Sequence, residues 1–136
     1  MVLLVCLAGN ALAEELTPAG QQAFDSLKAA TIFRFGNGRN PGRSPFEQSV
    51  KVLLKEQNRQ QVFQELIKKG SLAAQLYALT VQRAFDRERF QRNITSYLQI
   101  TNQVFVSEGC IIHAKAVAQI AGEIRDGGYD QVWSRD

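Results

Sequence analysis

At 136 residues, 45% hydrophobic and 21% charged, the chain has the size and composition of one globular domain. It carries enough apolar material for a core without disulfide or metal staples. Its 16 lysines and arginines are interspersed with 13 aspartates and glutamates, for a formal net charge of +3, a balance that argues against nucleic acid as a partner.

The first 13 residues, "MVLLVCLAGNALA", are uncharged. An apolar block runs into Ala11-Leu12-Ala13, an A-x-A pattern of the kind that ends a secretory signal peptide. Residues 1–13 are therefore expected to be cleaved after Ala13, with 14–136 forming one helical domain in the periplasm or outside the cell. The block is too short to span a bilayer, which takes about 20 apolar residues, so no membrane span is expected. No basic segment precedes it, so the true start codon is expected to lie upstream. A lipid on Cys6 is disfavoured, because the bulky Val5 stands where a small residue is needed.

Beyond the leader, Thr17-Pro18 reads as a helix N-cap followed by proline at the first helical position, with Phe24 and Leu27 inward. "TIFRF" is β-branched and aromatic and reads as extended. The glycine-rich stretch 36–43 is a loop. It ends in Ser44-Pro45-Phe46-Glu47, a capping box, before a helix to about Glu56 with Phe46, Val50, Leu53 and Leu54 on one face. A turn at Gln57-Asn58 leads to a helix over 59–69, whose apolar face is Val62, Phe63, Leu66 and Ile67 and which Gly70 ends. Ser71 caps a helix over 72–85 with Ala73, Leu76, Tyr77, Thr80 and Ala84 as its stripe, the most buried of the set. Asp86 caps another, with Phe90, Ile94, Tyr97 and Leu98 inward. After a short extended piece, "QVFV", the last helix is expected over 110–125, with Val117, Ile120, Ala121 and Ile124 inward, stopped by Gly127-Gly128. Tyr129 and Trp133 would pack back.

The expected fold is thus all-α, a single-domain bundle of five or six short helices. Tight turns between them make antiparallel neighbours, and 59–100 has the form of helical-repeat hairpins, without a sequence period. "GSLAAQLYAL", "FDRERF" and "SEGCII" before a final amphipathic helix resemble a family of small exported bacterial proteins with no assigned activity. The resemblance covers about Ser44 to Tyr129. It implies export and an all-helical fold, and it supplies no catalytic residues.

The candidate sites are few. Cys110 and the single histidine, His113, are three residues apart. On a helix beginning at Cys110 they share a face with Val117, and a first-turn thiol has a lowered pKa. That would suit a cysteine nucleophile with His113 as base, a thiol-dependent enzyme or a redox protein. Loss of Cys6 with the leader removes any resolving cysteine. A structural zinc site is tetrahedral, and the mature chain offers Cys110 and His113 alone. Buried packing of Cys110 is the plainer reading, and a lone exported thiol also allows a homodimer through an intermolecular disulfide.

Arg34, Arg39 and Arg43 flank the glycine-rich loop beside a helix N-terminus, an anion-binding arrangement in kind. The spacing matches neither a Walker A loop nor a dinucleotide fingerprint, and a capped linker explains it better. Arg83, Arg87, Arg89 and Arg92 are interleaved with Asp86 and Glu88, as on a solvated helix face. The Asn93-Ile94-Thr95 sequon lies inside a predicted helix and reads as chance. No cofactor or metal is expected, and the reading is of a non-enzymatic binding or accessory protein of the cell envelope, its partner another protein. The chain recovered from its native compartment is expected to begin at Glu14, a result N-terminal sequencing or intact mass would give.

Overall fold

Capping chemistry sets where the helices begin in the computed structural model, which describes residues 16–35, 45–108 and 111–134. Helix α1, Pro18–Lys28, starts where Thr17 is extended and its hydroxyl accepts the Gly20 N–H at 3.0 Å. Helix α2, Pro45–Leu53, and helix α3, Arg59–Lys69, follow the short strand β1, Ile32–Phe33. Ser44, half of the predicted capping box, lies outside the described residues; Glu47, the other half, is buried on α2. Ser71 opens helix α4, Leu72–Phe85, by accepting the Ala74 N–H at 3.1 Å. Asp86 opens helix α5, Arg87–Tyr97, by accepting from the Arg89 N–H.

The all-α expectation holds only in the coarser sense that the chain is mostly helical. A three-stranded sheet, order β1-β2-β3, joins the helices. Strand β2, Gln103–Glu108, runs parallel to β1 with Ile32 opposite Phe105, and antiparallel to β3, Ile111–Ala116, with Val106 opposite His113. The helix expected over 110–125 is therefore a strand followed by a shorter helix, α6, Val117–Arg125. Ala116, the residue before α6, provides no side-chain cap. Instead the Val117 N–H donates to the Asn102 carbonyl at 2.8 Å and the Ala118 N–H to the Ile100 carbonyl at 2.9 Å. The ladder itself answers the first orphan donors of the helix, so strand passes to helix without a loop.

Helix α4 lies at the centre, packed against α3, α5, α6 and β1, while α1 packs on α2 and α3. Leu76, Tyr77, Ala78 and Leu79 are fully buried there. Ala84, expected in the stripe, is exposed. Phe85 is exposed too; it lies edge-on to Trp133 at 5.4 Å with the Arg59 guanidinium over its ring. Three amides cross-link α3, α4 and α5: Gln82 Nε2 donates to Gln64 Oε1 at 3.0 Å, and Asn93 Nδ2 donates to both Gln64 Oε1 and Gln82 Oε1. The sequon asparagine is thus engaged inside the bundle. After α6 the chain turns at Gly127, whose φ of 86° is left-handed, into a 3-10 helix, Asp130–Ser134. Tyr129 and Trp133 pack back against Phe35, as expected.

A clamp at the start of α1 was not legible in the sequence. Glu56 Oε1 accepts the Thr17 N–H at 2.8 Å and Oε2 accepts the Thr17 hydroxyl at 3.0 Å. A carboxylate at a helix N-terminus is also favoured by the macrodipole. Gly20 leaves room for it: a Cβ there would stand 2.5 Å from Glu56 Oε1. Alanine ordinarily stabilises a helix interior by about 1 kcal/mol over glycine. Here it would displace the carboxylate from two charge-assisted bonds of roughly 1.5–3 kcal/mol each. Gly20→Ala is therefore expected to destabilise by about 1–3 kcal/mol, read by urea denaturation; a stabilised variant would refute the clamp.

Candidate functional site

Alternation along β2 and β3 gives the hairpin two chemically different faces. Val104, Val106 and Glu108 share the inner face with Ile111, His113 and Lys115; Gln103, Phe105 and Ser107 share the outer face with Ile112, Ala114 and Ala116. Val106 is buried, packing the inner face onto the body with Phe33 beside it in register.

The inner face carries the one dense charge cluster around the hairpin. Lys115 Nζ donates to Glu108 Oε1 at 3.0 Å and to both oxygens of Glu123 on α6, with Oε2 at 3.0 Å. The Lys115 side chain is 12% exposed. Tyr129 OH donates to Glu123 Oε2 at 3.4 Å, and His113 Nε2 stands 3.6 Å from Glu108 Oε1. The hydrogen bond and charge of Lys115 hold the Glu108 carboxyl below its ordinary 4.5, against a small desolvation effect and with help from His113. Desolvation pulls the Lys115 ammonium down, but bonds and charge from Glu123 and Glu108 outweigh it and hold the group above 10.5. Burial first, then the charge of Glu123 and Glu108, raises the Tyr129 phenol. All these groups thus favour the charge state that ties the hairpin to α6. The cluster is an ion-paired fastening: Lys115 occupies the space between the two carboxylates.

The outer face is uncharged. Phe105 is 58% exposed and Ile112 is 61% exposed, diagonal neighbours on one face, and Ile111 at the hairpin end is 66% exposed. Ile111 and Ile112 are among the most exposed large apolar side chains described.

The sequence-predicted sites fare differently. His113 is on a strand facing Glu108, not on a helix face with Val117, so the shared helical face of Cys110 and His113 does not exist; Cys110 lies outside the described residues. Arg34 is held through its main chain: its N–H donates to Tyr77 OH at 2.7 Å, and that hydroxyl donates to the Arg34 carbonyl at 2.8 Å. Arg39 and Arg43 lie outside the described residues. Arg83 forms a two-pronged pair with Asp130 at 3.0 and 3.2 Å, Arg89 pairs with Asp86 at 2.8 Å, and Arg92 lies 3.6 Å from Glu88. A polar cavity of about 280 Å³ opens at the start of α3 between Arg59 and Arg89. Among the described residues, no three His, Cys, Asp or Glu side chains converge on a metal-binding arrangement, and no helix is long and apolar enough to cross a membrane.

Sequence reasoning missed Lys115, Glu108 and Glu123. Lys115 is seven residues from Glu108 and eight from Glu123, spacings that pair on no helix. The alternation of Val104 and Val106 was the available signal for the strand that aligns them. Compared with known protein families, curated proteins and solved structures, the chain matches none.

The shifts fix a pH window for the fastening. Glu108 is depressed, so its contribution is complete above pH 4.5 and is lost as pH falls through its lowered value. Lys115 is raised, so its contribution is complete below pH 10.5 and is lost as pH rises through its higher value. Lys115→Met is expected to cost about 1–2 kcal/mol within that window. The difference from wild type should shrink at acid pH, measured by denaturant titration across pH; a difference unchanged well below pH 4.5 would contradict this account.

Proposed function

We propose that this protein is an exported, non-enzymatic binding protein of the cell envelope, that its partner is another protein, and that contact is made by the outer face of the β2–β3 hairpin. The observation that carries the reading is the exposure of Phe105 and Ile112 as diagonal neighbours on the outer face of the hairpin. A single exposed leucine or isoleucine is ordinary, but adjoining large apolar side chains on an uncharged face are a recurrent mark of contact surfaces. The fastening of Lys115 to Glu108 and Glu123 supports it, because a rigid face loses less entropy on binding. Export rests on the uncharged leader and its A-x-A end, and the resemblance to small exported bacterial proteins agrees with it.

The test compares wild type with the double variant Phe105→Asp, Ile112→Asp, each immobilised and exposed to native envelope extract. A partner held by wild type should bind the variant roughly thirtyfold more weakly, a loss of about 2 kcal/mol, with the thermal midpoint little changed. Equal retention by both would place the contact elsewhere. Turnover of a substrate without any retained partner would overturn the reading.

A further inference from the structure

The backbone of the hairpin says what form the partner's contribution takes, an inference that rests on the binding reading above and deepens it. Val117 N–H bonds to the Asn102 carbonyl, and Gln103 stands opposite Ala116. Bonded and non-bonded pairs alternate along an antiparallel ladder. The bonded pairs are therefore Val104 with Lys115, Val106 with His113, and Glu108 with Ile111. Phe105 turns its backbone the other way, toward β1, as its parallel pairing with Ile32 requires. By the same alternation, Ile112 and Ala114 direct their N–H and C=O groups off the far edge of β3. Among the described residues no strand pairs with that edge. The Ala114 carbonyl also lies 3.3 Å from His113 Nδ1.

Natural edge strands are commonly blunted by outward charge or proline. Ile111–Ala116 has no proline, and its charged side chain, Lys115, lies on the inner face in its ion cluster. The residues whose N–H groups point off this edge, Ile112 and Ala114, also present exposed uncharged side chains to the outer face. Area decides between occupants. Phe105 and Ile112 together expose on the order of 250 Å², whereas a stable dimer buries about 800 Å² on each partner. A second copy docked on this face alone is too weakly held. A strand laid along β3 gains main-chain hydrogen bonds and needs less area.

We propose that β3 is a strand-acceptor edge, completed by an extended, uncharged segment of the partner protein. Alternate residues of that segment are apolar and extend the outer face beside Ile112 and Phe105.

The probe is a capped peptide of alternating threonine and valine matched to the length of β3, beside its fully N-methylated counterpart, which keeps the side chains and removes the N–H donors. The unmodified peptide is expected to slow hydrogen exchange at the Ile112 and Ala114 amides by about tenfold or more, and the methylated one to have no effect. Ala114→Pro, which removes an outward N–H and leaves the bonds to β2 in place, should abolish the protection; the methylated peptide gives the same contrast without any variant. No protection by the unmodified peptide, with the envelope partner still lost from the Phe105→Asp, Ile112→Asp variant, would overturn strand addition and leave the binding face standing. Concentration-dependent dimerisation that protects both amides without peptide, seen by sedimentation, would instead give the edge to a second copy and overturn the proposal.

Discussion

Helix α4 is buried along most of its length, so its polar side chains need partners inside the protein, and this requirement positions its neighbours. An unanswered buried donor or acceptor costs about 1–3 kcal/mol. Tyr77 answers with the backbone of Arg34, which fixes the end of β1. Thr80 returns its hydroxyl to the Leu76 carbonyl. Gln82 needs Gln64 and Asn93, and so sets α3 and α5 relative to each other. Gln75 bridges the Gly70 carbonyl and the Tyr97 hydroxyl, at 2.9 and 2.6 Å; burial pushes the Tyr97 phenol up to about 12, so it remains a donor. Apolar packing alone would allow these helices to slide by a fraction of a turn. The amide and hydroxyl bonds do not.

Where the chain announces its structure locally, sequence reasoning was sufficient. Ser71, Asp86 and Thr17 cap helices in the expected places, and Gly70 follows α3. Those signals act over one turn and involve side chains whose chemistry is visible in a string of letters. The last helix failed for the opposite reason. Its cap is made by two main-chain carbonyls, Ile100 and Asn102, which any residue type supplies. Cys110, His113 and Val117 happened to fall at helical spacing. Strand propensity in "QVFV" was seen, but its partner strand, rich in alanine and isoleucine, carries a weak and context-dependent preference.

The hairpin face was illegible for a related reason. Exposure of Ile111 and Ile112 depends on which way a strand faces, and that depends on register with a segment several residues away. Apolar letters in a row suggest a core, and here they mark the surface. Arg34 shows the converse: its charge drew attention in the sequence, while its observed bonds are those of its backbone.

The direct passage from β3 into α6 has a consequence for how the hairpin avoids misalignment. A slip of one residue would turn Lys115 to the outer face, away from Glu123, and carry the Asn102 carbonyl off the Val117 N–H in the same step. Neither loss can be repaired without unwinding the start of the helix. Strands whose register is weakly specified are prone to such slips. This hairpin is proof-read by the helix that continues it, so strand register and helix start can only be right or wrong together.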